Sequence, residues 1–335
     1  MIEVKNIVKT FDGFTALDGA SITVPDGGVY GLVGPNGAGK STTMNIMTGC
    51  LSATEGKVTI GGCDIFEQPQ QAKRMVGYLP EQPPLYMNET PVEYLRFVGS
   101  AKGLKGKELK EQVEMVIQKT KIEDVKNRLI SALSKGYKQR VGIAQALIGN
   151  PNVIILDEPT VGLDPIQIIE IRDLIRQLGQ DHTVILSSHI LSEVQAICEK
   201  VLIISKGKLA AFDAPENLEK LLLSQNGVSF MTEAGQEEVE EIMAKMEQVT
   251  DWSSKVQEDG TVRVSARMKS GDLRGFCRQI FFAFAAKERA VLEMTSKRAN
   301  LEDVFIELTE DTAAGSAAVE NETESKAENK EVSES

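Results

Sequence analysis

Apolar and polar residues alternate over residues 2–9 and 20–24, which predicts strands with one solvated face. The turn Pro25-Asp26-Gly27-Gly28 then leads into Val29-Tyr30-Gly31-Leu32-Val33, an apolar run that reads as a buried strand. From Glu89 to about Ile148 the spacing becomes helical and rich in Lys, Glu and Leu, after which Val153-Ile154-Ile155-Leu156 and Thr183-Val184-Ile185-Leu186 return as β-branched strands. A helical block, placed at about 88–148, is therefore inserted into an α/β sheet. Beyond Pro215 a second alternation begins. Strands are predicted at Val228 to Met231, Trp252 to Val256, Thr261 to Ala266 and Val291 to Thr295, with helices near Glu237 to Gln248 and Leu273 to Lys287. That βαββαβ order predicts a small ferredoxin-like α+β domain.

The expected organisation is a main domain over 1–215, a linker over 216–226, an accessory domain over 227–309 and a disordered acidic tail over 310–335. Within that tail Asp311 to Ser335 holds seven acids against two Lys and almost no large apolar side chain. At 335 residues and 41% apolar content the chain can bury a full core. Its formal charge of −12 argues against holding nucleic acid or anionic lipid through bulk charge, so contact with a membrane is expected only through a partner protein. No basic-then-apolar leader opens the chain, and the longest apolar run, Ile280 to Ala286, falls far short of a membrane span, which predicts a cytoplasmic protein. Cys50, Cys63, Cys198 and Cys277 lack metal-site spacing and read as reduced, buried thiols.

Gly34-Pro35-Asn36-Gly37-Ala38-Gly39-Lys40-Ser41 matches G-x-x-x-x-G-K-[ST] between the buried strand and a helix-compatible run from Thr42 to Thr48. Glycines there let successive amides converge on phosphate oxygens, Lys40 neutralises the β and γ phosphates, and Ser41 ligates Mg²⁺. The second half of such a site is the strand Val153 to Leu156, which ends in Asp157-Glu158-Pro159. Asp157 is placed to hold Mg²⁺ through water and Glu158 to act on a water nucleophile. His182, in the polar run Gly179 to Thr183, reads as a solvated loop histidine without a role.

With these residues in place the chain resembles the ABC ATPase family. Leu133-Ser134-Lys135-Gly136-Tyr137-Lys138-Gln139-Arg140 is similar to its signature motif, Gln82 in Tyr78-Leu79-Pro80-Glu81-Gln82 to its Q-loop, Gly162-Leu163-Asp164 to its D-loop, and His189 after Leu186-Ser187-Ser188 to its switch histidine. The resemblance covers residues 1 to 215. It implies a P-loop NTPase core with an inserted helical subdomain, and ATP with Mg²⁺ as cofactors. Its implied nucleotide contacts are Gly34 through Thr42, with Phe11 either stacking on adenine or packing in the core, Asp164 of the D-loop, and Ser134 and Gly136 capping the ATP of a partner cassette. Glu158, His189 and Gln82 are the implied catalytic set, and Ser41, Asp157 and Gln82 the implied metal ligands.

The family commonly has Gly at Lys135, so strain is expected there if the position needs a positive φ. Pro83-Pro84-Leu85-Tyr86-Met87 looks like the surface that receives a membrane partner, although packing on the helical block explains it too. Leu301 to Leu308 resembles the C-terminal end of single-cassette subunits of bacterial multidrug-type and lipid-type exporters. The implied function is ATP hydrolysis that powers transport through separate transmembrane permease subunits, as a homodimer or heterodimer on the inner face of the cell membrane. Two rival readings are a soluble ABC ATPase of translation or repair and a non-catalytic ATP-binding regulator.

Overall fold

A computed structural model describes residues 1–221, 227–268 and 272–297, together with 301, 302, 304–306, 308 and 309. Two compact units divide the chain, one built on Met1–Pro215 and the other on Glu216–Glu307. The expected acidic tail lies outside the described residues.

The first unit opens with β1 (Ile2–Phe11), β2 (Phe14–Val24), β3 (Val29–Val33), α1 (Lys40–Met47), β4 (Glu55–Ile60), β5 (Cys63–Asp64), α2 (Pro69–Arg74) and β6 (Val76–Leu79). Three helices follow, α3 (Pro91–Ala101), α4 (Gly106–Lys119) and α5 (Lys135–Leu147). The chain then returns to the sheet through β7 (Val153–Leu156), α6 (Pro165–Asp181), β8 (Thr183–Ser187), α7 (Leu191–Ile197), β9 (Lys200–Ser205) and β10 (Lys208–Asp213).

Two sheets result, an antiparallel β2-β1-β4-β5 and a six-stranded β10-β9-β3-β8-β7-β6 that is parallel except for its β10–β9 pair. Strands β3, β7 and β8 are buried along their whole length, which is why they read as unbroken apolar runs, whereas β1 alternates because only one of its faces meets the core. That core joins Ile2, Ile7 and Leu17 of the antiparallel sheet to Met44 and Ile46 of α1 and to Leu32, Ile155 and Ile185 of the parallel one. On the opposite face α7 comes so close that a Cβ on Gly31 would lie 2.2 Å from Val194 Cγ1, so glycine at the middle of β3 sets the distance of that helix.

Helix α3 begins at a reciprocal cap. Thr90 Oγ1 accepts from the Glu93 amide at 3.3 Å and Glu93 Oε2 accepts from the Thr90 amide at 2.9 Å, with Pro91 in the first turn. Arg140 of α5, 8% exposed, donates to Thr120 O at 3.1 Å and to Glu170 Oε2 of α6 at 2.6 Å, tying the helical block to the rest of the unit.

The second unit contains β11 (Gly227–Thr232), α9 (Gln236–Ala244), β12 (Val249–Val256), β13 (Val262–Met268), α10 (Leu273–Ala285) and β14 (Val291–Lys297), in the antiparallel order β12-β13-β11-β14. This is the ferredoxin-like arrangement. Phe230, Phe276, Ile280 and Phe284 centre its own core.

Several local expectations change. The linker assigned to 216–226 opens instead with helix α8 (Pro215–Leu221), started by a proline whose fixed φ suits a first turn. Helix α1 begins at Lys40, two residues before the apolar pattern does, because phosphate-loop residues carry no periodicity. His182 is 4% exposed, not solvated: it follows α6 and its Nδ1 lies 2.7 Å from Pro151 O. All four cysteines are free but only Cys198 is buried, and Cys50 is exposed in the turn after α1. Among the described residues no helix is long and apolar enough to cross a membrane.

Candidate nucleotide-binding site

The loop between β3 and α1 is shaped by its glycines. Gly37 and Gly39 have φ of 80° and 104°, and a Cβ on Gly39 would lie 2.8 Å from Ala16 O, so this conformation belongs to glycine alone. Gly34 is buried and Ala38 is 3% exposed, while Pro35, Asn36 and Gly37 face solvent. Helix α1 has no side-chain cap, which leaves its first amides directed at the loop. Lys40 Nζ donates to Gly34 O at 2.7 Å and Pro35 O at 3.2 Å. Burial of the ammonium lowers its pKa, opposed by the carboxylates of Glu158 and Asp157.

Strand β7 delivers Asp157 and Glu158 to the same place. Asp157 is 5% exposed, and its Oδ1 accepts from Ser187 Oγ of β8 at 2.6 Å. The same Ser187 oxygen accepts the Glu158 amide at 2.8 Å. Glu158 sits at φ 49°, a left-handed conformation unusual for glutamate, and its Oε2 lies 2.8 Å from His189 Nδ1. Phe11 and Phe14 flank the hairpin turn of β1 and β2 as a cross-strand pair, with Asp12 and Gly13 both at positive φ, and Lys9 Nζ lies 4.8 Å from the Phe11 ring centroid. Phe11 and Phe14 line one cleft of about 430 Å³, together with Ala16, Asn36, Gly37, Gly39, Lys40, Ser41, Thr42, Glu81, Asp157, Glu158, Val161 and His189.

The cleft does not gather every expected residue. Glu81 reaches it while Gln82, the next residue, is exposed and outside its lining. Ser134, Gly136 and Asp164 are also absent from the lining. They form a separate surface, in which Ser134 caps α5, Asp164 caps α6 by accepting from the Gln167 amide at 2.9 Å, and a Cβ on Gly136 would lie 2.6 Å from the Gln167 side chain. Lys135 carries no strain: its φ is negative, it is the first residue of α5, and its ammonium reaches over Gly162. Two further cleft features escaped sequence reading. Phe14 was marked by the Phe11-Asp12-Gly13-Phe14 hairpin signal, whereas the bond from Ser187 to Asp157 joins two strands and has no local signal.

A divalent cation fits the donor set. The Ser41 hydroxyl and Asp157 carboxylate are oxygen donors in one cleft, the combination Mg²⁺ takes when phosphate oxygens and water complete its shell. Among the described residues no group of three or more His, Cys, Asp or Glu could hold a metal unaided.

Residues 17–161 match the family model described as ABC transporter. The lantibiotic transport ATP-binding protein SrtF of Streptococcus pyogenes is 37% identical over 229 residues, 67% of this chain and 97% of that protein. The bacitracin transport ATP-binding protein BcrA of Bacillus licheniformis is 32% identical over 311 residues, 92% of this chain and 97% of that one, and so extends the likeness into the second unit. Among solved structures, a dimeric ATP-binding cassette in a post-hydrolysis state with ADP and Pi superposes with a TM-score of 0.58 at 26% identity, covering 64% of this chain and 98% of that one.

Proposed function

The chain belongs to the ABC transporter ATP-binding proteins, and from that premise we propose that two copies close over two molecules of Mg-ATP to drive export through membrane-spanning partners. Members of this family bind and hydrolyse ATP, form cassette dimers and power transport through transmembrane subunits, and this chain is one of them.

In the proposed site the loop amides from Gly34 to Thr42 and Lys40 bind the phosphates, and Phe11 with Phe14 forms an aromatic edge for adenine. Ser41 and Asp157 would hold Mg²⁺, joined by Gln82 on closure, and the ion would neutralise charge on the β and γ phosphates. Glu158 orients and polarises the attacking water while His189, 2.8 Å from it, fixes that carboxylate and contacts the γ phosphate. The observation that carries this reading is the convergence of Lys40, Ser41, Asp157, Glu158 and His189 on one cleft from which the same chain's Ser134, Gly136 and Asp164 are excluded. A second copy would supply them. Ile166 and Ile169, 72% and 56% exposed on α6 beside Asp164, provide apolar surface for that closure.

The partner-facing surface is assigned to Tyr86, Met87 and Phe97, exposed apolar side chains in which the Tyr86 ring packs at a tilt, its centroid 5.5 Å from that of Tyr94 and 5.2 Å from that of Phe97. Export, and a place on the inner face of the membrane, are inferred from the transport functions named for the relatives and from Leu301 to Leu308. A homodimer is proposed because each chain carries both halves of the site. The test is ATP turnover of wild type and Glu158→Gln, with mass followed by light scattering. The expected result is turnover by wild type alone and a dimer of the variant that appears only with Mg-ATP; turnover by the variant would remove Glu158 from its role.

A further inference from the structure

Two ties join the loop after β7 to the chain running from the end of β8 into α7, and they lie on either side of the Glu158–His189 contact in the chain. Ser187, with its bonds to Asp157 and the Glu158 amide, is the first. The second is built by a residue outside every motif. Thr160 Oγ1 donates to Glu193 Oε2 at 2.6 Å, and Ser188 Oγ comes within 3.5 Å of the same oxygen. Thr160 and Glu193 are each 6% exposed and Ser188 1%. The Ser188 hydroxyl also accepts the Ile190 amide at 3.0 Å, so it fixes the backbone on both sides of His189. No cation pairs with Glu193 among the described residues. A buried carboxylate answered only by hydroxyls is an expensive way to anchor a seven-residue helix, which apolar packing of Leu191 and Val194 already anchors.

We propose that Glu193 is a positioning residue for hydrolysis: by clamping Thr160, two residues after Glu158, to Ser188, one residue before His189, it holds the Glu158 carboxylate and the His189 ring in register. The need for a clamp follows from the backbone. Glu158 is held at a φ of 49°, which a glutamate leaves when it is free to do so. Ser187 restrains its amide side; the chain that leaves it toward Leu163 is turned by its own Val161 N–Glu158 O and Leu163 N–Thr160 O bonds, and the Thr160–Glu193 bond ties that turn to α7. Without it the loop relaxes and the 2.8 Å contact between Glu158 and His189 opens. Because Lys40, Ser41 and the phosphate loop stand on other elements, ATP binding is left intact. The inference rests on the proposed roles of Glu158 and His189.

The experiment is steady-state ATP hydrolysis by the full chain, with the melting temperature of each variant measured alongside so that rates are compared well below unfolding. Glu193→Ala is expected to lower kcat about 10- to 100-fold while KM for ATP stays within about threefold, the pattern of a lost alignment and not of lost binding. Glu193→Gln keeps an oxygen acceptor for Thr160 and recovers most of that loss, which simple anchoring of α7 by charge would not predict. Thr160→Val, equal in shape, lowers kcat as Glu193→Ala does, and combining Thr160→Val with Glu193→Ala adds little because both break one bond. If Glu193→Ala does not fold, Thr160→Val and Glu193→Gln carry the test alone. A kcat within twofold of wild type for Thr160→Val, or a loss in KM only, overturns the proposal. Glu158→Gln is run in parallel: its continued turnover would instead bring down the assignment on which the clamp depends.

Discussion

At the scale of single residues, the ring pair at the cleft mouth gives the sharpest expectation. Phe11 and Phe14 are 43% and 64% exposed, far more than core phenylalanines such as Phe230, which fits a surface kept for a planar ligand. Phe11→Ala and Phe14→Ala should each raise KM for ATP about fivefold or more, the weight of one base stacked on one ring, with kcat unchanged. Inhibition by inorganic triphosphate, which has no base, should not change, and a parallel rise there would assign both rings to packing. Lys102 offers a prediction in pH. Its ammonium donates to Ile148 O at 2.6 Å at the end of α5, and burial pushes its pKa down to about 8 from 10.5. Between pH 8 and 10.5 the unfolded chain therefore binds a proton that the folded chain does not, so stability rises with pH across that window and the charge penalty is fully present below it. Lys102→Met should gain about 1 kcal/mol over wild type at pH 7, a discounted figure because much of the stem is exposed, and lose most of that advantage by pH 10 in thermal melts.

At the scale of elements, the helical block depends on how α3 begins. Thr90→Ala removes the one hydroxyl that both accepts from the Glu93 amide and donates to its carboxylate, and should destabilise the block by about 1 kcal/mol. Hydrogen exchange should then quicken within Pro91–Ala101 before it does in β7. The elements also divide by how well the chain announces them. Strands β3, β7 and β8 were legible because burial on both faces demands an apolar run, and the phosphate loop because its glycines have no substitute at φ of 80° and 104°. The ferredoxin-like order was legible from period alone. What escaped was whatever depends on a partner distant in sequence. The burial of His182 is decided by Pro151, and the acceptors of Ser187 and Thr160 by residues about thirty positions away. Gln82 and Glu81 show the same limit in miniature, since the motif fixes their order and the tertiary path fixes which one faces the cleft.

At the scale of the whole molecule, one chain holds a cleft on one surface and, on another, the Ser134 and Asp164 loops, the latter braced together by Arg140–Glu170 and by Gly136 against Gln167. If each functional site joins the cleft of one copy to the loops of the other, Lys40→Met and Ser134→Arg should each be inactive alone. Mixed in equal amounts and allowed to exchange, they should regain about a quarter of wild-type turnover, because half of the dimers are mixed and each of those has one of its two sites intact. Turnover that stays at zero would place a complete site within a single chain. The separation of these two surfaces also has a reading in heredity. Two alleles of this one gene, one damaged in the phosphate loop and the other in the Ser134 loop, would each be recessive and would rescue each other in a cell carrying both, so that a single reading frame would pass a complementation test as though it were two genes.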